Sequence, residues 1–63
     1  MSAKRIFAVE TEYRKDGSWT SDETFQVLAT TAINAAQRVN RKVKRQWNNV
    51  RVREVRYVGE LNL

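Results

Sequence analysis

The chain has no cysteine, no histidine and no proline, and only two glycines. The first two absences rule out disulfides and any metal site built from thiolates or imidazoles. They also remove the commonest proton shuttle and the thiolate nucleophile from any catalytic scheme. Gly17 and Gly59 stand alone, so no glycine-rich loop is present to cradle a phosphate. Nor is there a proline-rich, low-complexity or repeated stretch to mark a linker. Long apolar runs are missing as well. Ile6 to Val9 is followed at once by Glu10, and the charged start Met1–Arg5 has no hydrophobic segment behind it. The expectation is a soluble cytoplasmic protein with no membrane partner and no cofactor; the lack of cysteine fits a reducing compartment.

With 63 residues the chain forms one domain, residues 1–63. A domain of this size buries only about 60% of the surface its unfolded chain exposes, so its core is marginal. Small domains usually add a staple, and here a homodimer interface is the one left open.

Acidic residues are missing from one long stretch. Residues 24–53 carry Arg38, Arg41, Lys42, Lys44, Arg45, Arg51 and Arg53 and no Asp or Glu, so the formal net charge of +5 is concentrated there.

What is present has clear periodicity. Phe7, Val9, Thr11 and Tyr13 alternate with Ala8, Glu10, Glu12 and Arg14, the period of a half-buried strand over Arg5–Arg14. Lys15-Asp16-Gly17-Ser18 is a turn signal. A three-residue loop, Lys15–Gly17, predicts Tyr13 opposite Trp19 and Phe7 opposite Phe25. Residues 24–29 alternate again and favour β structure. Thr30 or Thr31 can cap a helix running to about Trp47. Its apolar stripe is Ala32, Ala36, Val39, Val43 and Trp47, with Ile33 beside it, and Trp47 is expected to close the core. Asn48-Asn49 ends the helix, and Val50–Val58 forms the last strand. There Val50 and Val52 are out of phase with Val55 and Tyr57, which a bulge near Arg53-Glu54 reconciles; without it, Tyr57 is the aromatic placed to lie on the open sheet face.

A competing pattern exists. Thr20-x-x-Glu23 matches a capping box, and Phe25, Leu28, Ala32 and Ala35 keep helical spacing, which would give one helix over residues 21–47. That leaves only two strands, too few to stand alone. The sequence therefore predicts an α+β fold, ββαβ, with a three-stranded antiparallel sheet of order 2-1-3 and one helix packed on one face.

Catalysis has little to work with. Glu10 and Glu12 share a strand face, but their plainer role is pairing with Arg51, Arg53 or Arg56. Asp16, Asp22 and Glu23 follow no calcium-loop spacing. No enzymatic activity is expected. The helix carries the stronger signal. At 100° per residue, Arg38, Arg41, Lys42 and Arg45 fall within about 100° of arc opposite the apolar stripe. Lys44 flanks them, and Asn34, Gln37 and Asn40 add polar groups. Arg38–Lys42 and Arg41–Arg45 are like-charge pairs at i,i+4, each costing about 0.2–0.5 kcal/mol in an isolated helix. The macrodipole accounts for Lys44 and Arg45 near the helix end but not for Arg38.

The hairpin, the Trp just after its turn, the Ala-Thr lead-in to a basic helix and the Val/Arg-rich last strand resemble archaeal LX-type ribosomal proteins and many small phage proteins. This is a resemblance in the order of elements, with no shared diagnostic motif, and it implies no role for any residue.

The expected function is a nucleic-acid-binding accessory module. Arg38, Arg41, Lys42, Lys44 and Arg45 would contact DNA or RNA phosphates, Arg51 and Arg53 would extend the patch, and Asn34 and Gln37 would serve as polar readers. The alternative is a protein-interaction or inhibitor module, of the kind phages encode, that binds an acidic protein partner or adds to a sheet edge. A homodimer through an edge strand is a further route.

Overall fold

The computed structural model describes residues 4–61; Met1–Ala3 and Asn62–Leu63 of the expected domain lie outside the described residues. Two strands, β1 (Lys4–Lys15) and β2 (Ser18–Ala29), lead into the helix α1 (Ala32–Gln46) and a third strand, β3 (Val50–Leu61). Pairing is antiparallel throughout, in the order β2-β1-β3, with α1 packed on one face. This is the expected ββαβ arrangement. The competing helix over residues 21–47 does not form: the β-branched Thr24 and Val27 sit in β2, where the pleat suits them.

The hairpin register differs from the expected one. Asp16 (φ 53°) and Gly17 (φ 80°) both adopt left-handed backbone, the pair of positive φ values that a type I′ turn requires. The loop is therefore two residues long, with Lys15 opposite Ser18, Arg14 opposite Trp19 and Tyr13 opposite Thr20. Trp19 is thereby turned away from Tyr13. Further along, Glu12 pairs with Ser21 but Glu10 with Thr24, so Asp22 and Glu23 together oppose Thr11 in a bulge. Beyond it Val9 faces Phe25 and Phe7 faces Val27, not Phe25. The bulge is pinned from below: the buried Thr11 hydroxyl donates to the Glu23 carbonyl at 2.7 Å.

On the other side of β1, Thr11 pairs with Val52 and Glu10 with Glu54, leaving Arg53 as the extra residue. This is the bulge the phase break called for. It puts Val50, Val52, Val55 and Tyr57 opposite Tyr13, Thr11, Val9 and Phe7, all on the helix side. Tyr57 packs edge-on against Phe7 with ring centroids 5.9 Å apart, so it does not lie on the open sheet face.

The core consists of Phe7, Val9, Ala29, Ala35, Val39, Val43 and Val50, ringed by Tyr13, Phe25, Val27, Val52 and Val55. On α1 the buried line is Ala35, Val39 and Val43: Val39 and Val43 belong to the expected stripe, and Ala35 takes the place of Ala32 and Ala36. Ala36 is half-buried, whereas Ala32 and Ile33 are exposed. Thr31 caps the helix, its hydroxyl accepting from the Asn34 N–H at 3.1 Å. Trp47 is the C-cap in extended backbone and remains 54% exposed, so it does not close the core. Asn49 then ties the connection to the hairpin: its amide donates to the Arg14 carbonyl at 3.1 Å, and its carbonyl accepts from the Arg14 N–H at 2.8 Å.

Among the described residues no layer covers the opposite sheet face. Trp19, Arg14, Glu12 and Arg51 sit towards the hairpin tip, and Ile6, Leu28 and Leu61 towards the far end, as the register dictates.

Candidate nucleic-acid interface

Seven of the expected site residues lie on α1, and all seven are exposed: Asn34, Gln37, Arg38, Arg41, Lys42, Lys44 and Arg45. Two of them show which way the cationic face points. Arg38 donates through Nη1 to the Leu28 carbonyl on the edge strand β2. The Lys42 ammonium lies 5.4 Å from the centroid of the Phe25 ring, also on β2. The flank bearing Arg38 and Lys42 therefore overhangs β2. Arg45, seven residues beyond Arg38, returns to within about 20° of it, so the three cations form a row along that flank. Arg41 and Asn34 stand higher above the sheet, while Gln37 and Lys44 are turned about 100–120° from Arg38. Asn40 is half-buried.

None of these helix cations is neutralised within the described residues. There the ion pairs are Arg5–Glu60 at 4.0 Å and Arg51–Glu12 at 2.7 Å, both within the sheet. The first turn of α1 carries no acid, and the last turn carries Lys44 and Arg45, which the negative end of the helix dipole favours.

Arg51 and Arg53 are not brought to this surface. Arg51 pairs with the open-face carboxylate Glu12, and its guanidinium stacks 3.8 Å from the centroid of the Trp19 ring. Arg53 donates to the Ser21 hydroxyl at 2.8 Å. Both project from the sheet face opposite α1, because strand alternation and the Arg53 bulge place them there. Of the partners expected for Glu10 and Glu12, the Glu12–Arg51 pair forms. Glu10 instead faces Thr24 and Glu54.

Beside the cationic row lies a groove that the sequence pattern does not announce. Between the C-terminal half of α1 and β2 is a cavity of about 520 Å³, open to solvent and lined in part by Tyr13, Phe25, Asp22, Glu23, Lys42 and Trp47. The signal that could have revealed it is the Asp-Gly pair: a two-residue turn followed by a bulge carries both acids to the helix side.

No family model, no curated protein and no solved structure matches the chain. What the protein does is therefore read from its own residues. No helix among the described residues is long and apolar enough to cross a membrane.

Proposed function

We propose that this protein is a non-enzymatic, cytoplasmic nucleic-acid-binding accessory module that holds a phosphate backbone against α1. The observation that carries this reading is the helix itself. It presents Arg38, Arg41, Lys42, Lys44 and Arg45 to solvent with no acidic residue among them and no ion pair to any within the described residues. Like charges at i,i+4 oppose helix formation, and a polyanion turns that cost into affinity by releasing its condensed counterions. Arg41 and Arg45 have no hydrogen-bond partner among the described residues, so they are the free phosphate ligands. Arg38 and Lys42 keep a tether to β2 and offer their remaining donors along the rim.

Anisotropy titrations with labelled DNA and RNA at about 50 and 200 mM salt test this, because phosphate-driven binding falls by orders of magnitude over that range. Arg41→Ala/Arg45→Ala is expected to weaken binding to all sequences alike. It should also flatten the log–log salt slope by about 1.8 on duplex DNA, at ~0.9 for each phosphate no longer neutralised. Unchanged affinity in the double variant would remove the helix from the interface.

A second reading draws support from the exposed apolar side chains Leu28, Val58 and Leu61 on the edge strands. It has the chain engage an acidic protein partner through α1, or a second copy through a strand edge. A pull-down that keeps its protein partner after nuclease treatment would favour it.

A further inference from the structure

The groove between α1 and β2 combines features that a phosphate backbone alone does not need. Its walls include the rings of Tyr13 and Phe25, with Trp47 at the end of α1. Trp47 keeps 54% of its surface in water beside an open cavity, although burying an indole is among the larger gains open to a chain this small. The cavity, about 520 Å³, falls within the ~300–1,000 Å³ range of small-ligand sites.

Its polar groups are equally particular. The β2 bulge sets Asp22 and Glu23 side by side opposite Thr11, so two carboxylates serve one position of the sheet. On the helix side the rim is Lys42, with Arg38 and Arg45 continuing the same flank of α1 before and after it. Carboxylates repel phosphate and accept hydrogen bonds from amino groups, whereas the rim attracts phosphate. Lys42 already lies over Phe25, which disfavours a cationic guest in the same space. The occupant that satisfies both halves is a flat, neutral, amine-bearing ring attached to a phosphate chain.

We propose that the groove takes an unpaired nucleobase bearing an exocyclic amine, while its strand's phosphates follow Arg38, Lys42 and Arg45. The site is thus specific for single-stranded nucleic acid. This rests on the phosphate-binding role of α1 and adds the base as a second contact. Trp47 and Tyr13 supply stacking surface, which is tolerant of sequence, and Asp22 and Glu23 accept from the amine of cytosine, adenine or guanine. Thymine and uracil present a carbonyl where cytosine presents its amine, and two carboxylates meet that carbonyl unfavourably.

The test compares labelled oligo(dC), oligo(dT) and an abasic oligomer with the same number of phosphates, with oligo(rC) and oligo(U) as the RNA arm. Stacking of one base typically changes affinity by about tenfold or more. Oligo(dC) is therefore expected to bind at least about tenfold tighter than the abasic strand, with oligo(dT) between them. Trp47→Ala should bring oligo(dC) down to the abasic level, and Asp22→Asn/Glu23→Gln should erase the preference for dC over dT. Circular dichroism melting checks that each variant is folded, and Trp47→Phe, which keeps a ring, should retain most of the base effect. Arg41→Ala/Arg45→Ala should weaken all strands equally. If intact and abasic strands bind wild type alike, the groove holds no base and only the phosphate reading survives. If neither binds at ~50 mM salt, where phosphate contacts are strong, the phosphate reading fails and this one falls with it.

Discussion

Thr11 is a polar residue in an apolar line, flanked on its face by Val9 and Tyr13 and almost fully buried. Its hydroxyl reaches the Glu23 carbonyl and so secures the point where β2 takes in an extra residue. Replacing Thr11 by Val keeps the shape and removes the donor, leaving that carbonyl without its partner. The expected loss is about 1 kcal/mol. At ~4–8 °C per kcal/mol for a domain of this size, the melting temperature should fall measurably. Thr24→Val, at an exposed position of the same hairpin, is the control and should change little. A Thr11→Val protein as stable as wild type would show that the bulge needs no such pin. Alternation discloses Thr11 as an inward position. It cannot disclose the hydroxyl's partner, because that partner is a backbone group placed by the bulge.

At the scale of elements, alternation is a good guide wherever apolar residues occur and a silent one where they do not. Val50, Val52, Val55 and Tyr57 demand a bulge near Arg53, and it is there. Thr20 to Thr24 contains no apolar residue, so a one-residue slip in β2 leaves no trace in the pattern. For the same reason the pattern puts Trp19 on the wrong face and hides its stack with Arg51. The candidate site is legible in half: periodicity identifies the helix cations, while Arg51 and Arg53 are near them in sequence and not in space. The Arg38–β2 contact is equally invisible in the sequence, and it has a consequence of its own. As an edge strand, β2 offers unpaired backbone groups to another chain, and Arg38 occupies one of them, the Leu28 carbonyl. Arg38→Ala should therefore promote self-association, seen as a concentration-dependent increase in mass by sedimentation. Arg38→Lys should restore part of the protection. A variant that sediments as wild type does at every concentration would show that the arginine does not guard the edge.

For the molecule as a whole, charge and stability pull against each other. The formal net charge is +5, and the like pairs Arg38–Lys42 and Arg41–Arg45 lie on one helix. Raising salt from about 10 to 150 mM shortens the Debye length from ~30 to ~8 Å and screens that repulsion. The free protein should melt about 2–8 °C higher over this range, from two pairs at ~0.2–0.5 kcal/mol each, while its affinity for nucleic acid drops. A melting temperature that falls with salt would mean that the attractive pairs Arg51–Glu12 and Arg5–Glu60 dominate instead.

The order β2-β1-β3 makes the first strand of the chain the middle of the sheet. During synthesis β1 can zip with β2 as soon as the hairpin emerges, yet its second edge stays bare until β3 has been made, after the whole of α1. Phe7 and Val9 have no lid over them until α1 has emerged. The nascent chain is thus most exposed to mispairing just before its last strand appears, when only its cationic helix helps to hold neighbouring copies apart.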